Sequence, residues 1–226
     1  MNRTNIEWCD YTWNPVTGCL NGCSYCYARR FAERGLGEYG KHPKGERFKP
    51  RIHPDRLDEP ARVKKSSRVF VCSMADLFGY WVRDAWVMAV LRAASDAPWH
   101  TYQWLTKNPE GLAKYTPYWS DLDWVGVSVS TNDHLWLADS SLAKCGGARV
   151  RFISAEPLLT PLDMSQVNAA DWIIVGAQTG PKAVRPKPEW VQGILDFADE
   201  HAIPVFLKNN LNWPVARQEF PEEVLR

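Results

Sequence analysis

The stretch Thr12-Trp13-Asn14-Pro15-Val16-Thr17-Gly18-Cys19-Leu20-Asn21-Gly22-Cys23-Ser24-Tyr25-Cys26-Tyr27-Ala28 places three thiols at C-x3-C-x2-C spacing on one short loop. A strand-like segment, 12–18, leads into the loop, and a helix-forming segment, 27–34, leads out of it. Loop thiolates three and four residues apart can converge on a single centre, and Gly18 and Gly22 relieve the backbone where it turns sharply. Three ligands are one too few for a closed four-coordinate centre. Two readings follow. One is a 4Fe-4S cubane held by three cysteines, with an iron left open for a ligand the protein does not supply. The other is a structural zinc site completed by Cys9 or by a histidine such as His42. Three crowded ligands without a second C-x2-C knuckle favour the cluster.

Outward from the loop, residues 35 to about 60 are rich in Gly, Pro and Lys and read as a long irregular segment, part of a basic insertion at about 35–67. Residues 68–74 then read as a buried strand opening into the polar 75–79. Asp84 is expected to cap a helix to about Ala94, with Trp86, Val87, Val90, Leu91 and Ala94 on the helical period. The unit recurs as strand 101–107 with helix 109–115, strand 123–130 with helix 132–144, strands 149–157 and 171–176, helix 188–201 and strand 204–208. Near-continuous apolar strands alternating with helices predict an α/β fold with a parallel sheet of about six to seven strands, in one domain spanning 1–226. An open β/α barrel and a doubly wound open sheet both fit this order.

Parallel β/α architectures bind ligands at the carboxyl ends of their strands. At those ends the chain places Ser73 and Asp76, Thr106 and Lys107, Ser128 and Ser130, Ser154 and Glu156, Gln178 after Gly176, and Lys208 with Asn209. The repetition predicts one polar mouth shared with the cysteine loop.

The chain's 226 residues suffice for one sizeable core, and 45% hydrophobic with 23% charged residues is the balance of a globular protein. No run approaches a membrane span and the N-terminus carries no apolar signal region, so a cytoplasmic location without a membrane partner is expected. Six cysteines with three clustered argue for metal ligation over a disulfide framework, while Cys72 and Cys145 read as packing or loop residues. Between Arg29 and Arg68, 13 Lys and Arg stand against 6 Asp and Glu, a local excess of +7 in a chain of net charge +1. Such a segment either tracks a phosphate backbone or is a solvated loop.

C-x3-C-x-aromatic-C after a first strand, with Tyr25 in the aromatic position, resembles the radical S-adenosylmethionine superfamily. The stretches Ile6-Glu7-Trp8, Thr12 to Cys19, Ser73-Met74-Ala75-Asp76-Leu77-Phe78, Leu105-Thr106-Lys107, Gly126-Val127-Ser128, Ser154-Ala155-Glu156-Pro157-Leu158 and Val175-Gly176 are similar to those of a small family of phage and bacterial radical-S-adenosylmethionine-like proteins. The resemblance implies an open β/α barrel with a 4Fe-4S cluster on Cys19, Cys23 and Cys26. S-adenosylmethionine would chelate the open iron. One electron, from an external donor such as flavodoxin, would split it into methionine and a 5′-deoxyadenosyl radical that takes a hydrogen atom from the substrate.

By the same resemblance Tyr25 lies against the adenine, and Ser73 and Asp76 stand where a Gly-Gly-Glu motif contacts the methionine amino group. Ser128 and Ser130 suit ribose hydroxyls or the methionine carboxylate, Glu156 a ribose or amino group, and Lys107 the carboxylate. Gly176 would let the adenine approach the backbone. Asn14, Gln178, Lys208 and Asn209 are left for substrate. Two stretches depart from the pattern. Asp76 replaces the Glu of Gly-Gly-Glu, and Ala177-Gln178-Thr179-Gly180 stands where Gly-Glu-Ser-Gly is expected, so a carboxylate is missing at Gln178.

The substrate expected is a nucleobase in phage DNA, original or already modified, extruded into the mouth and rearranged by isomerase- or lyase-type chemistry. The basic segment and 12 tryptophans carry that expectation, although most of the tryptophans lie in strands or helices and belong to the core. A peptide or small metabolite as substrate, and a non-catalytic zinc-binding protein, are the alternatives.

Overall fold

A computed structural model describes residues 1–180 and 183–221. The fold is mixed α/β with an eight-stranded, mostly parallel sheet, and the chain clusters into two compact units, Met1–Gly111 and Leu112 onward.

In chain order the first unit contains β1 (Asn2–Arg3), β2 (Tyr11–Trp13), β3 (Val16–Thr17), α1 (Tyr27–Glu33), β4 (Arg51–Ile52), α2 (Glu59–Arg62), β5 (Arg68–Val71), α3 (Asp84–Ser95) and β6 (Thr101–Thr106); α4 (Pro109–Ala113) runs across the sequence boundary. β1 pairs antiparallel with β2, and β2, β5 and β6 follow in parallel. Val69, Phe70 and Val71 are all buried, as a parallel strand covered on both faces requires. Trp8 packs on Phe70 with ring centroids 4.7 Å apart. Trp13 lies 6.2 Å from Tyr102 and satisfies its one polar atom by donating to the Arg56 carbonyl at 2.7 Å. α3 buries Val87, Val90, Leu91 and Ala94, a single helical stripe.

Three local expectations are corrected here. The strand expected over 12–18 is two strands, because Pro15 has no N–H for a ladder and the Asn14 side chain turns back to bond the end of β5. β3 leaves the main sheet and pairs with β4, which lies inside the segment expected to be irregular. Asp84 does not cap α3: it is the first helical residue, and Arg83 holds the N-cap position. β1 was not foreseen, since two exposed polar residues give no alternation to read.

The second unit contains β7 (Asp123–Ser128), α5 (Leu135–Ala143), β8 (Val150–Ala155), β9 (Trp172–Val175), α6 (Pro188–Glu200) and β10 (Val205–Leu207), with β7, β8, β9 and β10 parallel in that order. Its core is built on the rings of Trp124, Phe152, Trp172 and Phe206. Gly126 makes room for one of them, since a Cβ there would stand 2.4 Å from the Phe152 ring. The expected strands and helices are all present, trimmed by one to three residues at their ends. Among the described residues no strand pairing closes the sheet into a barrel, and no helix is long and apolar enough to cross a membrane.

Candidate functional site

The cysteine loop is built into the first unit from both ends. Gly18 N–H donates to the Met74 carbonyl at 2.9 Å, just beyond β5, and Cys19 N–H donates to the Phe48 carbonyl at 3.1 Å. Gly18 has φ +86°, and a Cβ on it would lie 2.2 Å from the Lys49 carbonyl oxygen, so only glycine fits between these two segments. At the other end Cys26 is the N-cap of α1, its Sγ accepting from Arg29 N–H at 3.3 Å. Cys19 and Cys26, with Met74, pack on a small apolar cluster of Ala28, Ala32, Tyr39 and Phe48. Arg29 closes the underside, donating to the Cys19 carbonyl at 3.3 Å with its guanidinium 5.5 Å over the Phe48 ring.

Asp76 is the junction that holds the loop to the strand ends. Its carboxylate is buried and accepts from Thr106 Oγ1 at 2.6 Å, Lys107 N at 3.0 Å and Phe78 N at 3.3 Å. It also accepts from Asn21 Nδ2 at 2.9 Å. Asn21 lies between Cys19 and Cys23, and its own N–H donates to Cys19 Sγ at 3.4 Å. Lys107 reaches back over the loop, its Nζ 5.5 Å from the Tyr25 ring centroid. Asn14 Oδ1 accepts from Met74 N at 2.9 Å and Ser73 Oγ at 3.2 Å, and Tyr27 OH donates to the Ser73 carbonyl at 2.5 Å. The structure thus brings together Asn14, Cys19, Cys23, Tyr25, Cys26, Ser73, Asp76 and Lys107. Asn21 and Tyr27 join them unforeseen; a polar residue inside the motif and an aromatic directly after it were the available signals.

The donor set suits a cluster. Each of the three thiols is free and half-buried, and two main-chain N–H groups already point at sulfur, the bonds that tune iron–sulfur ligands. Among the described residues no group of three or more His, Cys, Asp and Glu side chains stands arranged to hold a metal ion.

Burial pushes the Cys19 thiol up to about 11 from its ordinary 9.0, with the charges of Asp76, Cys26 and Cys23 adding to it against the Asn21 N–H. Burial likewise holds the Cys72 thiol at about 12. Between 9.0 and those values the unfolded chain has lost protons that the folded chain keeps. The metal-free protein is therefore expected to lose stability as pH rises above about 9. Urea midpoints at pH 7.5, 9 and 10.5 check this; a flat profile would contradict the burial of both thiols.

In the second unit Glu156 and Lys208 form an ion pair. A Cβ on Gly176 would come within 2.9 Å of Glu156 Cγ and 3.1 Å of Lys208 Cδ, so the space expected for adenine is bordered by this pair. Ser128 Oγ donates to the Glu156 carbonyl at 3.3 Å, and the Ser130 carbonyl accepts from Leu159 N at 2.9 Å. Gln178 Oε1 accepts from Val184 N at 3.3 Å, and Asn209 Oδ1 accepts from Gln218 Nε2 at 3.1 Å. Ser128, Glu156, Gly176 and Lys208 are gathered, whereas the Gln178 and Asn209 side chains engage neighbouring loops. Asn210, one residue beyond the expected Asn209, clamps Ala177 through both its N–H and its carbonyl.

The basic segment is partly spent inside the structure. Arg47 and Arg51 donate to main-chain carbonyls, Arg56 pairs with Glu38, and Arg62 pairs with Asp58. Arg34, Lys41, Lys44 and Lys65 stay exposed.

A family model described as Protein of unknown function (DUF5131) matches residues 3–222. No protein of curated function matches the chain. Among solved structures the fold is similar to spore photoproduct lyase complexed with dinucleoside spore photoproduct, at TM-score 0.55 and 11% identity over 91% of this chain and 78% of that one. A mutant of the same lyase aligns at TM-score 0.57 and 9% identity over the same shares. Another, with bound AdoMet and dinucleoside spore photoproduct, aligns at 0.51 and 13% over 88% of this chain and 63% of that one. At these identities the likeness is one of fold.

Proposed function

We propose, for a chain that belongs to the family described as Protein of unknown function (DUF5131), a radical S-adenosylmethionine enzyme that acts on a nucleobase. The observation that carries this reading is the loop of Cys19, Cys23 and Cys26, anchored by Gly18 and Asp76 and supplied with N–H donors to two sulfurs. A 4Fe-4S cluster on these thiols would supply the electron that cleaves S-adenosylmethionine to a hydrogen-abstracting radical. The chain's own residues would position the cofactor. Tyr25, backed by Lys107, offers a ring face to the adenine, and Ser73 stands at the loop; the second unit by itself carries Ser128, Ser130 and Glu156, read for ribose and amino acid, and Gly176, read for the adenine. Asp76, its carboxylate already shared among four donors, holds the loop rather than meeting the cofactor with a free oxygen.

The fold likeness to a lyase mutant with bound AdoMet and dinucleoside spore photoproduct supports the nucleotide side of this reading. So do the exposed Arg34, Lys41, Lys44 and Lys65, which suit phosphates. More narrowly, the proposed substrate is a nucleobase in phage DNA, original or already modified, that is rearranged or modified, with an external electron donor such as flavodoxin.

The test is anaerobic reconstitution with iron and sulfide, then dithionite and S-adenosylmethionine, with 5′-deoxyadenosine measured by chromatography and oligonucleotide binding followed from 50 to 200 mM salt. The expected result is product, together with binding that weakens steeply with salt, by about a factor of ten for every two phosphates neutralised. Product without DNA affinity would move the substrate to a peptide or metabolite. One zinc and no iron after reconstitution would remove the enzyme reading altogether.

A further inference from the structure

A cavity of about 650 Å³ opens in the first unit, with Thr12, Asn14, Tyr27, Phe31, Ser73 and Met74 among its lining residues. It adjoins the cysteine loop, because Met74 packs on the same apolar cluster as Cys19 and Cys26 and Tyr27 follows Cys26 directly. Resting on the function proposed above, we infer that this cavity is the substrate site and that it takes one unpaired nucleobase through a ring carbonyl.

Four features of the wall select that ligand. The Asn14 carbonyl oxygen accepts two donors, Met74 N and Ser73 Oγ, which fixes which way the amide faces. Its NH2 group has no hydrogen-bond partner among the described residues, so it presents donors to an acceptor that the protein does not supply. The Thr12 hydroxyl also lines the space without a side-chain partner. Tyr27 and Phe31, one turn apart on α1, line the cavity at 50% and 45% exposure, and Phe31 meets Tyr39 edge-on at 6.0 Å, so its ring presents exposed surface for stacking. The charges of the lining cancel: Arg56 pairs with Glu38, and Glu59 pairs with the N-terminal amine. A charge-balanced wall with an amide donor and ring surface suits a flat, neutral heterocycle bearing a carbonyl rather than a phosphate or a carboxylate. The volume lies within the range of small-ligand sites and leaves room for the attached sugar.

The experiment uses fluorescently labelled pentathymidylate and the same probe with its central base removed, titrated by anisotropy against the reconstituted protein and its Phe31→Ala and Asn14→Asp variants. Phe31→Ala removes an exposed ring. Asn14→Asp keeps the oxygen that accepts from Met74 and turns the donor into an acceptor. Thermal melts confirm that both variants fold. Each variant is expected to bind the intact probe about tenfold more weakly than the wild type, and the abasic probe is expected to bind all three alike. Equal affinity of wild type and variants for the intact probe, equal binding of both probes by the wild type, or no binding by the wild type would overturn the assignment. Formation of 5′-deoxyadenosine by the wild type without DNA, measured on the same preparation, separates the two failures. Its absence sinks the radical reading, whereas its presence with equal affinities sinks only the placement of the base.

Discussion

Replacement of Cys23 by alanine is expected to abolish 5′-deoxyadenosine formation and to cut the iron retained after reconstitution well below the about four per chain of a full cubane. The loss follows from ligand count: two thiols leave two irons of the cubane without protein ligands. The fold should survive. Cys23 is half-buried, the loop remains tied through Gly18, Asn21 and Cys26, and the Cys23 carbonyl that receives the Cys26 N–H at 3.2 Å belongs to the main chain. The unfolding free energy of the metal-free variant, from urea titration, should therefore stay within about 0.5 kcal/mol of wild type. Product formation that persists in a well-folded variant would remove Cys23 from the ligand set.

Gly18→Ala should give the largest loss of stability of any single methyl addition in the cysteine loop. The new Cβ would sit 2.2 Å from the Lys49 carbonyl oxygen and 2.8 Å from that of Phe48, both main-chain atoms. Neither can swing away, because Arg51 pairs with Thr17 across β3 and β4 and the Phe48 carbonyl accepts the Cys19 N–H. Added to the strain of a side chain at φ +86°, this is expected to cost about 3 kcal/mol or more in denaturant unfolding. Gly22→Ala is the matched control, with φ +70° but nothing within 4 Å of the added atom, and should cost only about 1–2 kcal/mol. Equal costs for the two variants would mean that Gly18 is not wedged between those segments.

What could be read in the sequence was what depends on near neighbours. The thiol spacing, the helix after Cys26 and the buried strands such as 150–155 and 172–175 are set by residues a few positions apart, and the structure contains them. Pairings between distant residues left no local trace. Glu156 and Lys208 stand 52 positions apart and neutralise one another, and the Asp76 carboxylate is claimed by Asn21, 55 positions away, before any ligand arrives. The charge count over 29–68 was correct but could not reveal that Arg47 and Arg51 donate to carbonyls of their own segment, which turns part of an apparent phosphate track into loop closure. Gly176 was read as room for adenine, whereas the side chains of Glu156 and Lys208 crowd it. A glycine shows that something comes close to the backbone, not what comes.

The tether from Asp76 through Asn21 to the Cys19 sulfur is made entirely of the protein's own groups. Zinc fingers stay unfolded until their ion arrives, so the metal supplies the free energy of folding. Here hydrogen bonds and an apolar patch made by the protein itself hold Cys19 and Cys26, so on the reading proposed above the fold would not draw its stability from the group the thiols bind.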